Sequence, residues 1–172
     1  MLTPTVRRTY APRGQTPILY GWDRRDRVSA ISAITVSPKR KRLNLYCLLL
    51  PDNENVHAED IVTFLRMLKR HIPRPLTILW DRHNIHDRSS VVQRYLDRHS
   101  EIKTEKFPAY APELNPDEQI WNHTKYKGLA NFVPKDTKEL KEQIAIHLRK
   151  LRSRKDLLAS FVRHSGLGIK VG

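Results

Sequence analysis

Residues 107–121, F-P-A-Y-A-P-E-L-N-P-D-E-Q-I-W, hold three of the eleven prolines and decide how the rest of the chain is interpreted. Each proline fixes φ and removes a backbone donor, so residues 107–115 are expected to form a rigid connector rather than a helix or an inner strand. At Asn115 the pattern changes, because asparagine is a strong N-cap, Pro116 suits the first helical position and Glu118 follows the cap by three residues. The stretch predicts a stiff loop that leads into a helix.

Two interpretations of Glu118 remain open at this point. A proline-stiffened loop that holds one carboxylate at a fixed place suits a catalytic site. Alternatively, Glu118 only closes a capping box by bonding back to the backbone of Asn115. Local chemistry favours neither interpretation.

The composition is that of a basic globular protein. The chain has 172 residues, enough for one domain, and 32 Lys and Arg against 18 Asp and Glu give a net charge of +14. This charge favours polyanionic partners, nucleic acid before a membrane surface, although ribosomal and other basic proteins share it. The single cysteine, Cys47, excludes an internal disulfide and a cysteine-based zinc site, and we expect it to be a small buried side chain. No apolar stretch approaches the roughly 18 residues of a membrane span, so we expect a cytoplasmic protein with no membrane partner.

Hydrophobic periodicity predicts an α/β order of elements. The predicted strands are 28–36, 43–50, 76–80 and 102–107, with a further short strand at 6–10. The predicted helices are 58–71, 88–98, one that starts at Asn115, and a long one that begins at an Asp136 cap and continues through Phe161. Strands 28–36 and 76–80 are apolar enough to be buried. Antiparallel strands followed by crossovers imply a mixed sheet flanked by helices, which is compatible with a ribonuclease-H-like fold.

A second acidic residue, Asp81, follows the predicted strand 76–80 directly, where sites gather in open sheets. Taken alone, Asp81 is more simply a turn-initiating residue that bonds the backbone of the next residues. The 36 residues between Asp81 and Glu118 leave room for one helix and one strand, which would bring the two acids together. Two or three carboxylates there would suit a pair of divalent ions that cleave phosphodiesters, with Lys and Arg holding the DNA backbone.

Two motifs carry a resemblance to a known family. A-P-E-L-N-P-D-E-Q-I-W at 111–121 resembles the third-acid motif of DDE transposases of the IS630 and Tc1/mariner superfamily, and W-D-R-H-N-I-H at 80–86 resembles their second-acid motif. V-R-R-T-Y-A-P-R-G-Q-T-P and S-A-I-S-A-I-T-V-S-P are similar to the IS630 branch. The resemblance covers nearly the whole chain.

The resemblance implies a ribonuclease-H-like catalytic core with Asp81 and Glu118 as catalytic residues and metal ligands for Mg²⁺ or Mn²⁺, two ions in the complete family site. It implies DNA partners, both element ends and target DNA, in the cut-and-paste movement of a prokaryotic insertion sequence, and hence a location at the nucleoid. His86 and Asn115 belong to the matching motifs and are expected to contact substrate. We expect residues 1–133 to form the core and residues 134–172 a basic helical segment packed on it.

The basic run 149–155, R-K-L-R-S-R-K, offers the densest positive charge on a predicted helix. Arg149, Lys150 and Arg152 are therefore candidates for contacts with DNA phosphates. A solvated helix end explains the same residues equally well.

Two departures from the family pattern matter. The family's first Asp lies on the first sheet strand, upstream of the part that resembles residues 6–17, so we expect this chain to lack that acid, that strand and the helix-turn-helix region. Neither Asp23 nor Asp26 is expected to substitute for it. Arg82 and His83 add positive charge beside Asp81 that could compete with metal.

The leading expectation is thus a transposase catalytic domain that is incomplete alone, either a truncated transposase or the second part of a product split over two frames. Its expected protein partner is a second copy, in a homodimer, or a transposase segment encoded in an upstream frame. The alternative is a non-catalytic remnant that binds DNA.

Overall fold

The computed structural model describes residues 5–8, 10–18, 20, 26–39 and 42–171. These residues form four strands and six helices. The strands are β1 (Val28–Val36), β2 (Leu43–Asp52), β3 (Leu76–Trp80) and β4 (Ile102–Lys106). The helices are α1 (Ala58–His71), α2 (Asn84–Asp87), α3 (Ser90–Asp97), α4 (Pro116–His123), α5 (Thr137–Ser153) and α6 (Lys155–His164). A 3₁₀ turn (Pro112–Leu114) precedes α4, and a π-helical turn (Thr124–Gly128) follows it.

The strands pair as two separate two-stranded sheets within the described residues. β1 and β2 are antiparallel, with Val36 opposite Leu43 and an irregularity between Val28 and Ala30. β3 and β4 are parallel, with Leu76 opposite Ile102 and Trp80 opposite Lys106. The α/β class and the mixture of antiparallel and parallel pairs are as predicted. The two pairs do not join into one sheet, since no hydrogen bonds link β1 to β3 in this part of the chain.

Two hydrophobic clusters hold these sheets to their helices. The larger joins β2 to α4, α5 and α6, whose inward residues recur at helical spacing, and its centre is formed by Ile120 and Leu158, both fully buried. The smaller joins α1, α3 and β4 around the fully buried Val92. Each strand pair is therefore supported by its own set of helices.

Several predicted elements differ from the structure. The prediction of one long helix through Phe161 is wrong. The helix is interrupted at Arg154, so that α5 and α6 both pack their apolar sides into one cluster. Residues 84–87 form a short helix, and α3 begins at Ser90, where the Ser89 side chain accepts hydrogen bonds from two backbone N–H groups. The strand at 6–10 is not formed in its described residues, since only Thr5 makes a bridge, to Ala130.

β1 and β3 are half-buried rather than buried. Every residue of β1 keeps partial exposure, and Leu79 on β3 is 41% exposed. Helix α1 and strands β1 and β3 have the predicted bounds. Within the described ranges no helix is long and apolar enough to cross a membrane.

Candidate active site

Asp81 follows the last residue of β3 and its carboxylate is held from one side. Oδ1 accepts a hydrogen bond from the backbone N–H of His83 at 3.0 Å, and the Nε2 of His86 lies 2.9 Å from the same oxygen. The same Nε2 lies 2.6 Å from the Asp81 carbonyl oxygen, which can only accept, so Nε2 carries a proton. His86 is buried and stacks on Trp80 with the ring centroids 4.5 Å apart. The Asp81 side chain nevertheless stays 64% exposed and open to a ligand.

Glu118 lies in the first turn of α4, and its carboxylate is not used for capping. The Asn115 side chain accepts from the N–H of Asp117 at 3.1 Å, and the Asn115 N–H donates to the carbonyl of Pro112 at 3.0 Å. Because the Asn115 N–H is already engaged, a capping box with Glu118 does not form. The Glu118 side chain is exposed and makes no hydrogen bond to any other described residue.

Asp117, which the sequence analysis did not single out, is the enclosed acid of this turn. Its Oδ2 accepts hydrogen bonds from the Ser32 hydroxyl on β1 and from Trp121 Nε1 at 3.2 Å. Its Oδ1 is enclosed and, among the described residues, has no hydrogen-bond partner. Burial, with a smaller effect of the Glu118 charge, raises the pKa of Asp117 to about 6 against the two hydrogen bonds. In the sequence, the adjacent acids D-E at 117–118 show that either side chain could face the site. Only the contact with β1 shows that Asp117 is the enclosed one.

A cleft of about 1860 Å³ separates β1 from β3. Consecutive residues of both strands line it, as expected of strand edges, whereas a sheet face would present alternate residues. The site residues that share this cleft come from β3, α2 and the start of α4: Asp81, His86, Asn115, Asp117 and Glu118. Trp80 also lines the cleft, and its enclosed Nε1 finds no acceptor among the described residues. The structure thus brings Asp81 and Glu118 to one cavity from segments that are distant in the chain.

The donors of this cleft fit a hard divalent cation in part. Carboxylate oxygens are the ligands that Mg²⁺ and Mn²⁺ prefer, and both Asp81 and Glu118 are exposed. Across the described ranges, however, no three His, Cys, Asp or Glu side chains are grouped to hold a metal ion. Asp81 and Glu118 line the cleft, and a complete metal site there needs further oxygen ligands.

The two basic residues that follow Asp81 are both engaged within the protein. The Nε of Arg82 donates to the carbonyl of Phe107 at 3.1 Å, which ties the end of β3 to the end of β4. His83 caps α2, where its Nδ1 accepts from the N–H of Ile85 at 3.3 Å. Asp26 accepts from Asn53 at 3.0 Å and does not line the cleft. Asp23 lies outside the described residues.

Within the basic run 149–155, Lys155 lines the cleft and the three named candidates do not. Arg149, Lys150 and Arg152 are exposed on α5, and none of them lines the cleft. Arg152 is partly committed within the protein, because its Nε donates to Asn44 Oδ1 at 2.8 Å and its guanidinium lies over Tyr46, 5.5 Å from the ring centroid.

Comparisons with known proteins identify chains of similar fold and a matching family. The chain is similar in structure to the Mos1 mariner paired-end complex with Mn, at a TM-score of 0.54 and 18% identity, and to the Mos1 strand transfer complex, at 0.55 and 17%. The alignments cover 98% and 97% of this chain but 53% and 52% of those chains, so it spans about half the length of the structures it matches. No curated protein matches it.

At this identity the likeness shows the fold, and it confirms the predicted ribonuclease-H-like class. The family sequence model described as DDE superfamily endonuclease matches residues 1–141, most of the chain. On that match, which confirms the resemblance at the level of the superfamily, the chain belongs to the DDE superfamily endonuclease family.

Proposed function

We propose that the chain is the catalytic domain of a DNA transposase of the IS630 branch, which cleaves phosphodiesters and transfers strands during movement of an insertion sequence. One observation carries the proposal: Asp81 and Glu118, the two acids of the family motifs, open into the same cleft. The proposal includes a core formed by residues 1–133, a basic helical segment formed by residues 134–172, and a location at the prokaryotic nucleoid.

Asp81 and Glu118 would hold the divalent cation of this reaction, Mg²⁺ or Mn²⁺, with two ions in the complete site. When bound, such ions activate the attacking oxygen and stabilise the leaving oxygen of a phosphodiester. The chain's own residues orient the acids. His86 fixes the Asp81 carboxylate through the 2.9 Å contact, and Asn115 fixes the start of α4 that holds Glu118. His86 and Asn115 also line the cleft, where they would contact the DNA strand.

The cleft is the place for a further strand that carries the first acid. Within the described residues, no strand pairs with the facing edges of β1 and β3, and an inserted strand would satisfy their N–H and C=O groups. The enclosed Trp80 Nε1 lacks an acceptor and Asp117 Oδ1 lacks a donor within the described residues. An unpartnered buried polar atom costs about 1–3 kcal/mol, so a strand that partners both atoms would be stabilised there. We propose that sequence outside these 172 residues supplies it.

DNA is the proposed partner. The net charge of +14 supports a polyanionic partner, and Arg149 and Lys150 lie exposed and free to contact phosphates. The Mos1 structures are a paired-end complex and a strand transfer complex. A homodimer on DNA element ends and target DNA is part of the proposal.

The test mixes this chain with the segment encoded upstream, in which a strand ends in an Asp. The substrate is a DNA duplex that carries the end of the element. We expect metal-dependent cleavage. Asp81→Asn and Glu118→Gln should each lower its rate at least about 100-fold, since each removes a ligand of the metal ions that stabilise the transition-state charge. Glu113→Gln is the control, because Glu113 is exposed and does not line the cleft. Equal cleavage by Glu118→Gln and the control would reject the assignment.

Metal binding gives a separate measurement. Titration with Mn²⁺, followed by electron paramagnetic resonance, is expected to show binding that both acid variants weaken and Glu113→Gln does not.

Amide hydrogen exchange in β1 and β3 should slow when the segment is added, because their free edges become hydrogen-bonded. Unchanged exchange in both strands would show that the cleft takes no strand.

A non-catalytic DNA-binding role is the second candidate. It is favoured by the lack of a three-acid cluster in the described part of the chain. Salt-sensitive DNA binding without cleavage, even with the added segment, would support it.

A further inference from the structure

A second cavity lies between α1 and α3 and is lined by arginines. Its volume is about 320 Å³, and Arg66 of α1, Arg94 of α3 and Arg98 at the end of α3 line it together with Tyr95 and His99. It shares no lining residue with the cleft that holds Asp81 and Glu118. The cavity is therefore a separate feature of the molecule.

Helix geometry and packing bring the three guanidinium groups together. Arg94 and Arg98 are four residues apart and lie one above the other on α3. Val62 on α1 packs in the same buried cluster as Tyr95 on α3, which places the next turn of α1, with Arg66, at the same opening. Cations at the end of a helix interact favourably with its dipole, which accounts for Arg94 and Arg98. It does not account for Arg66, which lies in the middle of α1.

No carboxylate neutralises this cluster within the described residues. None of the ion pairs found there involves Arg66, Arg94 or Arg98, and no acid lines the cavity. The neighbouring Glu101 is engaged by Lys69 at 3.3 Å. Like charges that share a cavity repel one another, so an anion between them is stabilised.

Two of the arginines are also oriented. The Arg66 guanidinium lies over the Tyr95 ring, 5.7 Å from its centroid, and the Arg94 Nε donates to the Ser90 carbonyl at 3.1 Å. The Tyr95 ring itself is fixed by stacking on His99 at 4.1 Å between centroids. A guanidinium held at Nε keeps its two terminal nitrogens free to donate, which is the fork geometry that binds phosphate oxygens.

We propose that this cavity binds a phosphate group, from the backbone of DNA or from a free phosphate or pyrophosphate. The site is independent of Asp81 and Glu118 and stands whether or not the cleft cleaves DNA. If the phosphate belongs to DNA, α1 and α3 form a contact surface additional to the cleft and to the basic run on α5.

The test compares two triple variants of the 172-residue chain with equal net charge. The first replaces Arg66, Arg94 and Arg98 by Gln. The control replaces Lys127, Lys138 and Arg163 by Gln, because these exposed residues line neither cavity. Binding of a fluorescein-labelled DNA duplex is measured by anisotropy over a range of salt concentrations, and binding of inorganic phosphate and pyrophosphate is measured by calorimetry.

For a DNA phosphate, the arginine variant binds the duplex at least about tenfold more weakly than the control, and its log–log salt slope falls by about 0.9 for each phosphate that the variant no longer neutralises. For a free phosphate, the two variants bind DNA equally, while only the arginine variant fails to bind pyrophosphate. Either result supports the site. Equal behaviour of the two variants towards DNA, phosphate and pyrophosphate overturns it.

Removal of the Arg66 guanidinium from the Tyr95 ring could also weaken the fold, and a second variant separates the two effects. Replacing all three arginines by Lys keeps the charge but removes the fork. If the site binds phosphate through paired guanidinium donors, this variant binds several-fold more weakly at an unchanged thermal midpoint. Full binding by the Lys variant would reject binding through paired guanidinium donors and show that positive charge alone holds the phosphate in this cavity.

Discussion

The two strand pairs are supported very differently. The hairpin half, which comprises β1, β2, α4, α5 and α6, has a cluster of ten buried side chains. The parallel half, which comprises α1, β3, α3 and β4, has a cluster of five. Both halves present a free strand edge to the same cleft. Burial of apolar surface is the main favourable term in folding, so the parallel half has more to gain from an added strand than the hairpin half.

The largest effect is expected from opening a cavity in either cluster. Leu158→Ala in the hairpin half removes a fully buried side chain and should lower the free energy of unfolding by about 3–4 kcal/mol. Val92→Ala, fully buried in the parallel half, removes two methyl groups and should cost about 2 kcal/mol. Chemical denaturation measures both, with Ile146→Ala as the control because Ile146 is 40% exposed.

Hydrogen exchange of the same variants tests whether the halves unfold separately. Val92→Ala should accelerate exchange in α1, β3 and β4 while α5 and α6 keep their protection, because the cleft interrupts packing between the halves. If exchange accelerates equally in all five elements, the two halves form one cooperative unit and the comparison fails.

The next effect concerns Asp117, which joins α4 to β1 within the hairpin half. A carboxyl whose pKa is raised by folding binds its proton more tightly in the native state, so its contribution to stability falls as pH rises from its usual 3.8 to about 6. Above pH 6 the cost approaches about 3 kcal/mol, at 1.36 kcal/mol per pKa unit. Asp117→Asn should therefore gain stability relative to the parent chain between pH 4 and pH 7, in metal-free buffer.

Denaturation of both proteins across this pH range measures the difference. Asp136→Asn is a matched control, since Asp136 is an exposed cap on α5. A constant difference between Asp117→Asn and the parent from pH 4 to pH 7 would contradict a raised pKa of Asp117.

A smaller pH effect of opposite sign is expected from two histidines that join α4 to α5. His123 Nδ1 and His147 Nε2 lie 3.2 Å apart, and burial, followed by nearby positive charge, lowers the pKa of both. A lowered histidine pKa means that the unfolded chain takes up the proton first, so stability falls as pH drops below about 6.5. His147→Gln should flatten this dependence between pH 7 and pH 5. His164→Gln, an exposed histidine on α6, should leave it unchanged.

The last prediction concerns the thiol of Cys47 in the hairpin half, which we expect to react slowly with alkylating reagents. Burial, followed by the Asp117 charge, raises the pKa of this thiol to about 12, so the reactive thiolate is scarce at pH 8. Labelling with a maleimide should be slow in the native chain and rapid in urea. Rapid native labelling would show that β2 opens readily and that the hairpin half is less firmly packed than its cluster indicates.

Local signals predicted the elements that depend on local chemistry. The Asn-Pro pair and three-residue spacing located the start of α4, and Pro73 and Pro75 located the end of α1 and the start of β3. The break at Arg154 has neither glycine nor proline, because it is set by Leu151 and Leu158 packing into one cluster. No local pattern marks that requirement.

The candidate site divides in the same way. The motifs single out Asp81 and Glu118 as candidates, and both residues line the same cleft. The enclosure of Asp117 depends on Ser32, 85 residues away, and the arginine cavity depends on packing between α1 and α3. Both are tertiary facts, which is why the sequence shows the residues but not their environments.

The free edges of β1 and β3 also have a consequence for the lifetime of the chain in a cell. Unpaired edges are templates for pairing with other chains, and exposed backbone is accessible to proteases. Under the proposed strand insertion, chains without the strand would be cleared or would aggregate, while complemented chains would persist. The amount of complete protein would then follow the scarcer of the two segments, which would limit how often the element moves without a dedicated repressor.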